Sequence, residues 1–125
     1  MRRFLFATFL ALAAIISSPA AAFDPLNEQE IAAQLVDRPF FYRGFENGQR
    51  KEGRVVYEGT GKLVIRTRKG NFDAGSWAIL NGEMCTRVEI GRGGAWRCFT
   101  VIREIDGSYV TSHKYRLYPV KNRRY

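Results

Sequence analysis

The sequence predicts a mainly β fold: an antiparallel up-and-down meander of seven to eight strands forming a small barrel, behind a short N-terminal α-helix. Two observations lead there. Six turn signals, Asn47-Gly48, Gly59-Thr60-Gly61, Gly70-Asn71, Asn81-Gly82, Gly91 to Gly94 and Asp106-Gly107, start 10 to 15 residues apart. Asn-Gly and Asp-Gly readily take the positive φ that tight hairpins need. Between the turns lie runs rich in Val, Ile, Phe, Tyr and Trp, residues that fit a pleated, half-buried surface. Short hairpins without a long crossover favour closure over a sandwich, and closure removes exposed edges.

The first 22 residues read as an export leader. Arg2 and Arg3 precede the apolar stretch Phe4 to Ile16, which at 13 residues is too short to span a bilayer as a helix. Ser17-Ser18-Pro19 breaks that stretch, and Ala20-Ala21-Ala22 supplies small residues for cleavage after Ala22. Cys85 is the first cysteine, so no lipid-anchor site adjoins the junction. Residues 23–125 then form one domain, 103 residues long.

Asn27 with Glu30 three residues later is a capping-box pattern, and Leu26, Ile31 and Leu35 share the apolar side of a short helix ending near Asp37. That face packs on the sheet or plugs one end of a barrel. Arg38-Pro39 stops the helix. Strands are expected at 40–46, 49–58, 62–69, 72–80, 83–90, 95–105 and 108–118, the last long enough to split near His113. In the third, Leu63, Ile65 and Thr67 face inward, opposite Lys62, Val64, Arg66 and Arg68. In the last, Tyr115 and Leu117 oppose Lys114, Arg116 and Tyr118. The bulk of Phe40, Phe41, Phe45, Trp77, Trp96 and Phe99 predicts a mostly solid interior. Residues 121–125 read as a basic tail.

After cleavage 18 Lys and Arg face 12 Asp and Glu, a net charge of +6. Residues 23–58 carry −2 and residues 59–125 carry +8, with 13 Arg to 5 Lys. Arginine is the better group for bidentate recognition of carboxylate and phosphate. Two cysteines in an exported chain point to one disulfide. A two-residue turn at Gly91-Arg92 sets Cys85 opposite Cys98, whereas a bulge at Gly93-Gly94 shifts that register by one. Metal binding is the alternative, but two Cys with one distant His, His113, make a poor zinc site.

No catalytic constellation stands out. No nucleophile-elbow pattern surrounds Ser76 or Ser112, and Glu104 and Asp106 flank a turn. Gly91-Arg92-Gly93-Gly94 lacks the Lys-Ser/Thr pair of a phosphate loop. The reading is therefore non-enzymatic, with no cofactor and no metal. The candidate binding residues are Lys62, Arg66, Arg68, Lys69, Lys114 and Arg116, with Arg87 and Arg97 on neighbouring strands. An export leader removes nucleic acid from consideration and leaves an anionic envelope polysaccharide, lipid or protein.

Gly75-Ser76-Trp77, Asn81-Gly82-Glu83-Met84-Cys85, Trp96-Arg97-Cys98-Phe99 and Asp106-Gly107-Ser108-Tyr109 together resemble small exported proteobacterial proteins that form a domain family of unknown function. The resemblance implies a lipocalin-like or streptavidin-like small barrel in the cell envelope and no established activity. Trp77 falls mid-chain, away from the first strand where lipocalins carry Gly-x-Trp, so retinoid-style binding does not carry over. Periplasmic lysozyme inhibitors are similar in size, but their Ser-Gly-x-x-Tyr loop is absent here, and a basic chain repels a basic lysozyme. The expectation is thus a periplasmic or secreted binding or accessory protein that meets an anionic envelope component through a basic strand face. The alternative is an inhibitor of a cell-wall or host enzyme.

Overall fold

The computed structural model describes residues 24–89 and 93–121. The expected leader, the Gly91-Arg92 turn and the end of the basic tail lie outside the described residues.

Helix α1 spans Glu28–Leu35 and is held at its start by the capping box read from the sequence. The Asn27 side chain accepts from the Glu30 N–H at 2.8 Å, and Glu30 Oε1 accepts from the Asn27 N–H at 3.1 Å. Nine strands follow: β1 Pro39–Glu46, β2 Gln49–Tyr57, β3 Lys62–Thr67, β4 Phe72–Leu80, β5 Glu83–Val88, β6 Trp96–Phe99, β7 Val101–Arg103, β8 Tyr109–Thr111 and β9 Arg116–Pro119. All pair antiparallel in one sheet, in the order β6-β5-β4-β3-β2-β1-β9-β8-β7.

The hairpin chemistry repeats. Asn47-Gly48 and Asn81-Gly82 have positive φ at both central residues, the two-residue turn whose twist matches the strands. The turns after β2, β3, β7 and β8 are three residues long and end in a left-handed residue: Gly61, Gly70, Gly107 and Lys114.

β6 and β7 sit at opposite edges of the sheet, yet only Thr100 separates them in the chain. The expected single strand at 95–105 therefore turns a corner at Thr100, pairing with β5 before it and β8 after it. That corner nearly closes the sheet into a barrel. Its backbone is satisfied by the turn after β8: Thr100 N–H donates to Ser112 Oγ at 3.0 Å, and Ser112 N–H donates to the Thr100 carbonyl at 3.0 Å. The final expected strand does split near His113. Two splits give nine strands where seven or eight were expected.

Helix α1 covers one end. Ile31 and Leu35 are fully buried with Leu26, Phe40, Tyr57, Leu63, Met84 and Val101. Gln34 accepts from the Tyr109 hydroxyl, and Glu28 accepts from the Gly82 N–H in the β4–β5 turn. The motif Gly75-x-Trp77 is structural. A Cβ at Gly75 would lie 1.7 Å from the Arg87 carbonyl oxygen, and Trp77 Nε1 donates to the Glu58 carbonyl at 2.6 Å. Cys85 and Cys98 face each other across β5 and β6 and are joined as a disulfide. The register read from a two-residue turn is thus the one found. Among the described residues no helix is long and apolar enough to cross a membrane.

Candidate functional site

Alternation in a strand sends every second side chain outward. On the outer wall this register aligns five residues of five neighbouring strands. Phe72 of β4 lies opposite Arg66 of β3, Arg66 opposite Arg54 of β2, Arg54 opposite Phe41 of β1, and Phe41 opposite Tyr118 of β9. At the usual strand spacing of about 4.8 Å the row is roughly 19 Å long. Its two arginines are oriented by its rings. The Arg54 guanidinium lies 4.8 Å from the Phe41 ring centre, and that of Arg66 lies 5.1 Å from Phe72. Both distances are within cation–π reach, and stacking fixes the guanidinium plane.

A second, more charged row runs beside the first. Arg116 of β9 lies opposite Arg43 of β1, and Arg43 opposite Glu52 of β2. Glu52 in turn takes ion pairs from Arg50 at 3.0 Å and from Arg68 at 3.6 Å. The two rows border a surface depression that reaches from Tyr118 to Gly70.

Three of the six expected binding residues therefore gather on one face: Arg66, Arg68 and Arg116. Lys69 lies in the adjoining β3–β4 turn. Lys62 shares the outer face of β3 but stands at the helix-capped end, opposite Ser76. Lys114 occupies the left-handed position of the turn after β8, with φ 64°. Arg97 does not join the outer face. It points into the open end of the barrel and pairs with Glu46 at the end of β1. Arg54 and Arg43 are the cations that strand alternation alone did not single out. Their signal lay in the cross-strand register set by Asn47-Gly48, which puts Arg54 opposite Phe41.

Charge is also polar along the barrel axis. Glu28, Glu30, Glu58, Glu83, Glu104 and Asp106 surround the helix-capped end, diluted by Arg38, Lys62 and Arg103. Arg50, Lys51, Arg68, Lys69, Arg97, Lys114 and Arg116 collect at the open end, offset in part by Glu46, Glu52, Asp73 and Glu89.

The barrel interior is not solid. Of the six aromatics expected to fill it, Phe40 and Phe99 are buried and Trp77 packs against the core, but Phe41, Phe45 and Trp96 face outward. Phe45, Phe72 and Trp96 are each more than half exposed, at 67 %, 64 % and 52 %. A cavity of about 260 Å³ remains, opening at the end opposite the helix. Its floor includes Val55, Leu63, Ile65, Val88 and Leu117; Tyr42, Glu46, Asp73, Arg97, His113 and Tyr115 stand at its mouth. His113 Nε2 lies 3.0 Å from the Cys98 carbonyl oxygen, so the histidine helps to tie the barrel seam.

Burial, with Glu46 and Tyr42 beside it, pushes the Tyr115 hydroxyl up to about 12, and Tyr115 shares a hydrogen bond with Glu46. Burial, Asp73 and Glu46 likewise raise Tyr42. Both phenols therefore stay protonated and neutral at physiological pH. Among the described residues no group of three or more His, Cys, Asp and Glu could hold a metal ion. Set against protein-family models, curated proteins and solved structures, the chain matches none.

Proposed function

We propose that this is a non-catalytic binding or accessory protein of the periplasm or extracellular space, and that it holds an acidic polysaccharide of the cell envelope on its outer basic face. The observation that carries this reading is the row Phe72–Arg66–Arg54–Phe41–Tyr118. Adjacent strands repeat at a spacing close to the length of one sugar residue, so a chain laid across the strands meets one rung per sugar. The arginine rungs offer N–H edges to carboxylate or phosphate groups. The aromatic rungs offer faces to the apolar sides of sugar rings, with Tyr118 adding a polar edge. Stacking on Phe41 and Phe72 orders the guanidiniums before any ligand arrives, which lowers the entropic cost of binding.

The leader read from the sequence and the disulfide, which persists in oxidising surroundings, support that compartment. In the same reading the chain is an exported relative of the small barrels whose Gly-x-Trp and Cys pattern it resembles. The basic open end steers the protein toward a polyanion, with the open end leading.

The test is retention of the cleaved chain on immobilised polygalacturonate across a salt series. Binding should weaken as salt rises, and Arg54→Ala with Arg66→Ala should weaken it further and flatten the salt dependence. Retention that ignores both salt and the double substitution contradicts the reading.

A further inference from the structure

The cavity at the open end has the construction of a site and not of a packing defect. Gly44 and Gly53, on adjacent strands, make room for two tyrosines that line it. At Gly44 a Cβ would lie 2.6 Å from the Tyr115 ring, and at Gly53 it would lie 2.2 Å from the Arg66 carbonyl oxygen and 2.8 Å from the Tyr42 hydroxyl. The two tyrosines lie against glycine backbone, with ring centres 6.1 Å apart. A glycine in a strand interior weakens the strand, and its use there marks close approach of another group. Thr67, Thr86 and Thr111 occupy further inward positions where larger apolar residues would fill the space. Phe41, Phe45, Phe72 and Trp96, which have the bulk to do so, face outward.

The chemistry of the walls narrows the ligand. Val55, Leu63, Ile65, Val88 and Leu117 make an apolar floor. Above them the charges balance: Glu46 pairs with Arg97 and bonds to Tyr115, and Lys51 and Asp73 add one group of each sign to the lining. The Tyr42 hydroxyl feels two carboxylates, Asp73 and Glu46, so a ligand anion placed beside it would be repelled. Between these balanced charges the mouth offers the neutral hydroxyls of Tyr42 and Tyr115, which both donate and accept. The volume, about 260 Å³, falls just below the range of roughly 300–1,000 Å³ usual for drug-sized ligands, so the occupant is a single ring or a short chain. A barrel of about eight strands has room inside either for packed side chains or for one small ligand, and here the side chains leave the room open.

We propose that the cavity between the open-end turns is an internal binding site for a small uncharged molecule with an apolar body and a hydrogen-bonding end. The apolar body rests on Leu63, Ile65 and Val88, and the polar end meets Tyr42 and Tyr115. The cavity faces the barrel interior and the row of arginines and rings faces outward, with Tyr42 and Thr67 bordering both.

Amide NMR titration of the cleaved chain with benzyl alcohol, and separately with benzoate, tests it. Benzyl alcohol should give saturable shifts at Ile65, Thr86 and Val88, and benzoate should bind more weakly. Tyr42→Phe keeps the volume but removes one hydroxyl, and should cost about tenfold in affinity for benzyl alcohol, as for one buried hydrogen bond. Thr67→Leu fills the cavity and should abolish the shifts; Tyr42→Phe, nearly isosteric, keeps the test decisive if that variant does not fold. Absence of saturable shifts inside the barrel would overturn the proposal. So would benzoate binding more tightly than benzyl alcohol, or affinity unchanged in Tyr42→Phe.

Discussion

Lys114 holds, at φ 64°, the place that Gly61, Gly70 and Gly107 hold in three sister turns. A side chain there is strained by about 1 kcal/mol. Lys114→Gly should therefore raise stability in urea unfolding by roughly 0.5–1 kcal/mol, although it removes one cation from the open end. Tyr115 makes a second residue-scale prediction. Its hydroxyl is raised from the ordinary tyrosine value of 10.0 to about 12, so the folded state keeps a proton that the unfolded state loses between those values. The stability it contributes is complete below pH 10 and is lost as pH rises through about 12. In Tyr115→Phe the loss of thermal stability across that window should be shallower; an identical slope would contradict the assignment. At this scale the sequence was legible for Arg66, Arg68 and Arg116, because alternation along one strand decides which way they point. It was not legible for Arg97 and Arg54. Arg97 points inward to meet Glu46, a partner 51 residues away, and Arg54 gains its role from a ring on the next strand.

The hairpins are the elements that the chain declares most openly. Asn47-Gly48 and Asn81-Gly82 fix two registers without ambiguity, and the three glycine-ended turns fix three more. Helix α1 was equally plain, since its capping box joins Asn27 and Glu30, only three residues apart. The corner at Thr100 was hidden because the residues on either side of it form one unbroken β-prone run. Only the partner turn, through Ser112, shows that the run changes edge there. The disulfide staples the β5–β6 hairpin, whose partners are 13 residues apart. Removing it through Cys85→Ser with Cys98→Ser should lower unfolding free energy by about 3 kcal/mol in the chain-entropy account. A change below about 0.5 kcal/mol would mean that the hairpin is held by its pairing alone.

On the scale of the whole molecule, closure decides what the surface can do. A barrel has an inside, two ends and one continuous outer wall, and each carries a different character here. The capped end is acidic and the open end basic. The wall between them bears a row of ordered arginines and rings, and the inside keeps a small apolar chamber. The barrel itself could be read from turn spacing, because local turns determine consecutive pairing. The chamber could not, because it depends on which aromatics face outward once the strands curl. The outer row is where the functional account stands or falls, and an amide shift map recorded while adding an acidic oligosaccharide such as a short oligogalacturonate locates the contact directly. The account predicts saturable shifts centred on Phe41, Arg54, Arg66, Phe72 and Tyr118, fading as salt is raised. Shifts centred on the helix-capped end, or none on this row, would contradict it.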